Sequence, residues 1–106
     1  MVEIARGKPD TIVLRIQEIL EKYGADHPQA KISLYRQNSV SVRIRIIDPG
    51  FKGISKPDRS RIVWKYLDEL EEDVQADIST IILLTPDETE RSMANIEFED
   101  PTPSKL

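Results

Sequence analysis

The stretch from Asp48 to Arg61, DPGFKGISKPDRSR, restricts the fold more than any other part of the chain. Pro49 and Pro57 fix their own φ and donate no backbone hydrogen bond, while Gly50 and Gly53 open conformations that other residues avoid. A lone aromatic, Phe51, sits among Lys52, Lys56, Arg59 and Arg61. No strand or helix continues unbroken through such a segment. Before it, Val40, Val42, Ile44 and Ile46 alternate with Ser41, Arg43 and Arg45, the pattern of a half-buried antiparallel strand. After it, Ile62, Val63, Tyr66, Leu67, Leu70 and Val74 recur at helical spacing. The chain therefore turns from sheet to helix here. Ser55, with Asp58 three residues on, makes a capping pattern for the helix start.

The flanking elements follow from the same reading. Ile12, Val13, Ile16, Ile19, Leu20 and Tyr23 form one apolar stripe, which predicts a helix from about Pro9 to Tyr23 with Gly24 ending it. Lys31 to Arg36 alternates as a strand, and Gln37-Asn38-Ser39 suits a hairpin turn into the next strand. Ile78 to Leu84 is a β-branched apolar run, expected as a more buried strand. Pro86 to about Met93 reads as a short helix. The expected fold is α+β, in the order α-β-β-(turn)-α-β. Its three-stranded mixed sheet carries both helices on one face, and Ser33, Tyr35, Ser41, Arg43 and Arg45 lie open to water on the other. Residues 1–94 are expected to form one domain. Residues 95–106, acidic and holding Pro101 and Pro103, are expected to be a mobile tail.

Composition narrows the chemistry. With no cysteine among 106 residues, disulfides, thiolate catalysis and thiolate-held metal are excluded. The one histidine, His27, stands in a polar loop without a partner motif. Asp87, Glu88 and Glu90 have the spacing of an acidic helix start rather than of metal ligands. No pair of carboxylates is singled out for acid–base work. The chain is therefore expected to be non-enzymatic and to hold no cofactor. Its apolar runs are too short to span a membrane, and Met1 to Gly7 carries no readable secretory signal, so a cytoplasmic location is expected. The net charge of −4 conceals an uneven distribution. Residues 43–65 hold seven Lys/Arg against Asp48 and Asp58, whereas residues 66–106 hold twelve acids against Arg91 and Lys105. Such a basic patch suits an anionic partner, although it also suits a simple solvated face.

Two surfaces emerge as candidates. Gly50-Phe51-Lys52-Gly53 is a G-x-x-G tetrapeptide ahead of a helix, where glycines let a backbone approach a phosphate closely. With Lys56, Arg59 and Arg61 it forms a candidate anion or nucleic-acid site of the KH-like kind. Phe51, Trp64 and Lys65 form a candidate partner surface.

The same segment resembles the BolA family. That family carries Phe-x-Gly-x-Ser, then Arg-His-Arg leading a helix, and a last strand ending in Leu-Thr-Pro. Phe51, Gly53 and Ser55 match the first part, Arg59 and Arg61 the flanking arginines, and Leu84-Thr85-Pro86 the end. The resemblance spans roughly residues 12–86 and implies a fold related to the second KH topology. It also implies a protein partner, typically a monothiol glutaredoxin sharing a [2Fe–2S] cluster. Here the chain departs from the pattern. Ser60 replaces the middle His. The cluster-ligand His near the start of the last strand falls at about Asp77, and the hairpin loop offers only Gln37, Asn38 and Ser39. Imidazole and thiolate suit such clusters and these residues do not. The expectation is a BolA-like binding or regulatory protein that engages a protein partner without ligating a cluster. The alternative is a KH-like nucleic-acid binder using the Gly50 to Gly53 loop.

Overall fold

The structure is a computed structural model that describes residues 1–101. Strand β1 (Val2–Ile4) leads to helix α1 (Thr11–Asp26), strand β2 (Lys31–Asn38) and strand β3 (Ser41–Ile47). A 3-10 turn, Pro49–Phe51, joins β3 to helix α2 (Lys56–Leu67). Helix α3 (Glu72–Asp77), strand β4 (Ile78–Leu84), a second 3-10 turn (Pro86–Arg91) and helix α4 (Met93–Glu99) complete the chain. No helix among the described residues is long and apolar enough to cross a membrane.

One mixed sheet runs in the order β1-β2-β3-β4. β2 and β3 form the expected antiparallel hairpin, with Ile32 opposite Ile46 and Leu34 opposite Ile44. β4 lies parallel to β3 on one side and β1 parallel to β2 on the other. The sheet therefore has four strands, not three. Val2-Glu3-Ile4 is too short to show alternation, and only its pairing with Ile32 to Leu34 makes it a strand.

The main core lies between the sheet and α1, α2 and α3. Val13, Ile16, Ile19, Leu20 and Tyr23 of α1 meet Ile32, Leu34, Val42, Ile44 and Ile46 of the hairpin. Val63, Leu67, Leu70 and Val74 close it, although the expected single helix breaks after Leu67. α1 begins two residues later than expected, because Asp10 caps it by accepting from Val13 N at 2.8 Å. It also runs two residues past Gly24, where His27 N–H bonds the carbonyls of Tyr23 and Gly24. Val40 lies in the hairpin turn, 54 % exposed, rather than on the inner face.

The second face of the sheet is not open, which corrects the expectation of helices on one face only. α4 covers it. Phe98 packs with Tyr35, Ile82 and Leu84 into a second, smaller core. The Tyr35 hydroxyl donates to Phe98 O at 2.9 Å, and the Tyr35 and Phe98 rings stand 4.7 Å apart. Arg43 pairs with Glu97 and Arg45 with Glu99, so the acids of α4 answer the cations of β3. The expected tail boundary at residue 95 thus falls inside a packed helix. The rest of that tail, residues 102–106, lies outside the described residues.

Among the described residues β4 is an edge strand with one partner, β3. Leu84 O accepts from Asp48 N at 2.8 Å on the inner side, whereas Leu83 O, one residue earlier, faces outward and accepts from Arg59 Nη1 at 3.0 Å. At its other end β4 carries one extra residue, Ser79, between the pairs Val42–Ile78 and Arg43–Thr80.

Candidate functional site

The strand-to-helix turn is built around Asp48, which is buried although charged. Its Oδ1 accepts from Gly50 N at 2.8 Å, which closes the Pro49–Phe51 turn, and its Oδ2 accepts from the Tyr23 hydroxyl at 2.9 Å. Burial first, and then this hydrogen bond, push the Tyr23 hydroxyl well above the usual phenol range, so it stays a donor. Phe51 is 2 % exposed and plugs the end of the main core. It is therefore not presented to a partner, a correction to its place on the candidate partner surface. Gly53 has φ +79°, the left-handed region that favours glycine. Ser55 then caps α2, its Oγ accepting from Asp58 N at 3.3 Å.

The four cations of the segment separate. Arg59 turns inward and is 4 % exposed. Its Nε donates to Ile54 O at 2.8 Å and its Nη1 to Leu83 O. The fork grips Glu88 bidentately, at 2.6 and 3.1 Å. This guanidinium also lies 5.5 Å from the Phe51 ring centroid. Glu88 in turn accepts from Thr85 N at 2.9 Å. The Arg59 hydrogen bond, followed by the Thr85 N–H, holds the Glu88 carboxyl down to about 2. Arg59 thus joins the turn, α2, β4 and the Pro86–Arg91 turn, and its bonds leave it no role in gripping an outside anion. Arg61 is exposed and pairs with Asp58. Gly50, Lys52, Gly53 and Lys56 remain exposed, the first three in the turn and Lys56 at the start of α2. Lys65 is exposed on α2, and Trp64 is half-buried against the main core.

A second constellation was not legible in the sequence. At the hairpin end of the sheet, Arg36 pairs with Asp77 at 2.9 Å and also with Asp10. Its Nη1 donates to Asn38 O at 3.1 Å. The Arg36 hydrogen bond draws the Asp10 carboxyl below its ordinary range. One guanidinium thus ties the start of α1 to the end of β2 and the start of β4. These residues are 26 and 41 positions away from Arg36 in the chain, so no local motif announces the cluster.

His27 stacks on Tyr23 with ring centroids 4.0 Å apart, and its Nδ1 meets Tyr23 O at 3.0 Å. It shares with Tyr23, Asp48 and Phe51 a cavity of only about 80 Å³. Among the described residues, no group of three or more His, Asp or Glu side chains is placed to hold a metal ion. No family model matches the chain, and no curated protein matches it.

Proposed function

We propose that this chain is a non-enzymatic BolA-like binding or regulatory protein of the cytoplasm, which engages a protein partner and ligates no iron–sulfur cluster itself. The element order and the Phe51-x-Gly53-x-Ser55 turn support the scaffold reading, as does a last strand parallel to its neighbour and ending in Leu84-Thr85-Pro86. The observation that carries the cluster-free reading is the Arg36–Asp77 pair. Where the resemblance puts a cluster histidine, Asp77 is bound to a cation, and a carboxylate so held is a poor ligand for iron. Trp64 and Lys65, on the outer flank of α2, are the candidate contacts for the partner.

Reconstitution with a monothiol glutaredoxin is expected to give the absorption and circular dichroism of the glutaredoxin cluster alone. New bands that appear only in the mixture would refute the cluster-free reading.

A second reading, a KH-like nucleic-acid contact, is favoured by one observation. Lys52 and Lys56 are exposed beside the Gly50 to Gly53 loop and make no ion pair among the described residues. With Arg59 withdrawn, two phosphate contacts remain, which implies weak binding with a salt slope of about −1.4 for a single strand. Fluorescence anisotropy of a labelled single-stranded oligonucleotide at low salt measures this. Lys52→Glu together with Lys56→Glu is expected to abolish the rise, and a double variant that binds as well as the parent removes the loop from consideration.

A further inference from the structure

Beyond the end of α4, on the outer face of the sheet, a recess of about 400 Å³ opens beside Pro49. That volume lies in the range of small-molecule sites. Its floor is Lys31, Ile47 and Arg45 at the end of the hairpin, where Lys31 stands opposite Ile47 and Arg45 opposite Ser33. Strand alternation sets all four on the outer face. Pro49 and Pro86 supply apolar walls, and Asn95 and Glu99 of α4 close the far side.

Arg45 gives the recess its chemistry. Its side chain is 13 % exposed, and its guanidinium lies 4.6 Å from the Phe98 ring centroid. One terminal nitrogen donates to Asn95 Oδ1 at 3.0 Å and to the Glu99 carboxylate, and the other donates to Ser33 Oγ at 3.2 Å. Its Nε is buried without a partner. A cation largely removed from water is thus fixed by neutral dipoles and an aromatic ring, and among the described residues a single carboxylate pairs with it. That carboxylate belongs to Glu99, the last residue of α4, whose side chain is 61 % exposed. A group so placed keeps most of its hydration and is readily exchanged for another of the same kind. The side chain of Lys31, a diagonal neighbour of Arg45, makes no hydrogen bond or ion pair among the described residues.

We propose that this recess binds a small carboxylate with a compact apolar body. The ligand carboxylate takes the place of Glu99 on Arg45, with Lys31 as the second cation, and its body lies against Ile47, Pro49 and Pro86. A charge-assisted hydrogen bond from one terminal nitrogen of Arg45 already holds the Glu99 carboxylate at this position. The apolar walls select against anions that carry no hydrocarbon.

Amide-resolved NMR titration of the full chain tests the proposal with isovalerate as probe, and with acetate and inorganic phosphate as comparisons. Isovalerate is expected to cause saturable shifts at Lys31, Arg45, Ile47 and Asn95, with Kd about 1 mM. Acetate, lacking the apolar body, is expected to bind at least about tenfold more weakly. Glu99→Gln, which keeps the size of an exposed side chain, removes the internal competitor and is expected to tighten isovalerate severalfold. Lys31→Met, also exposed, is expected to weaken it. Shifts at these residues that stay linear up to about 50 mM isovalerate, fiftyfold above the expected Kd, would overturn the proposal. So would a Glu99→Gln variant of unchanged affinity, or phosphate binding as tightly as isovalerate.

Discussion

Replacing Arg59 with alanine is expected to lower the unfolding free energy by about 3–5 kcal/mol, the usual cost of removing one partner of a buried ion pair. The size follows from what is left behind. Leu83 O and Ile54 O lose their donor, Glu88 loses both bonds of a bidentate grip, and the Phe51 ring loses its covering cation. Arg59→Lys rescues only part of this loss, because an ammonium cannot reach four acceptors lying in a guanidinium plane. Urea unfolding followed by tryptophan fluorescence measures the effect, since Trp64 lies on the same helix and packs on the main core. A loss under about 1 kcal/mol would mean that the grip adds nothing beyond a surface pair.

The same pair sets a pH dependence. Glu88 is held down to about 2 in the folded chain and returns to about 4.5 on unfolding. A depressed carboxyl stabilises the fold fully above its unfolded value and loses that contribution as pH falls toward its folded one. Stability is therefore expected to drop between about pH 4.5 and pH 2. Glu88→Gln should flatten the profile in that window. A profile identical to the parent would show that Glu88 is not the group responsible.

Phe98→Ala is the second large effect, expected to cost about 3–5 kcal/mol by leaving a cavity in a small core that has no other aromatic ring besides Tyr35. Phe98 is 2 % exposed, and its ring also carries the guanidinium of Arg45. Phe98→Leu, which keeps part of the volume, should recover about half of the loss. Thermal unfolding provides the measurement. An alanine variant as stable as the parent would mean that α4 is a detachable appendage rather than part of the fold.

Legibility in the sequence followed the range of the interactions. Local patterns identified α1, the β2–β3 hairpin, the turn at Asp48 to Ser55 and β4, because alternation, helical stripes and caps are written over short stretches of neighbouring residues. Ser55 as a cap was readable for that reason. Long-range partners were not. The inward turn of Arg59 depends on Glu88, 29 positions later, so in one dimension it looks like Lys52 and Lys56, its neighbours in a basic run. β1 and α4 were missed for a related reason: three residues show no period, and the acids around Phe98 resemble those of a solvated tail. A signal for α4 did exist. Ser92 accepts from Asn95 N as a helix cap, and the acids that follow are opposite in sign to the arginines of a sheet face otherwise left bare.

The edge formed by β4 carries a consequence for solution behaviour. A strand of the composition ISTIILL, with one side unpaired, is the kind that recruits a strand from a neighbouring molecule and seeds aggregation. Here the extra residue at Ser79 distorts one end of that edge, and Arg59 covers the outward carbonyl of Leu83 at the other. The backbone around Ile81 lies between these two devices. The arginine that braces the fold is thus also a gatekeeper against intermolecular strand pairing.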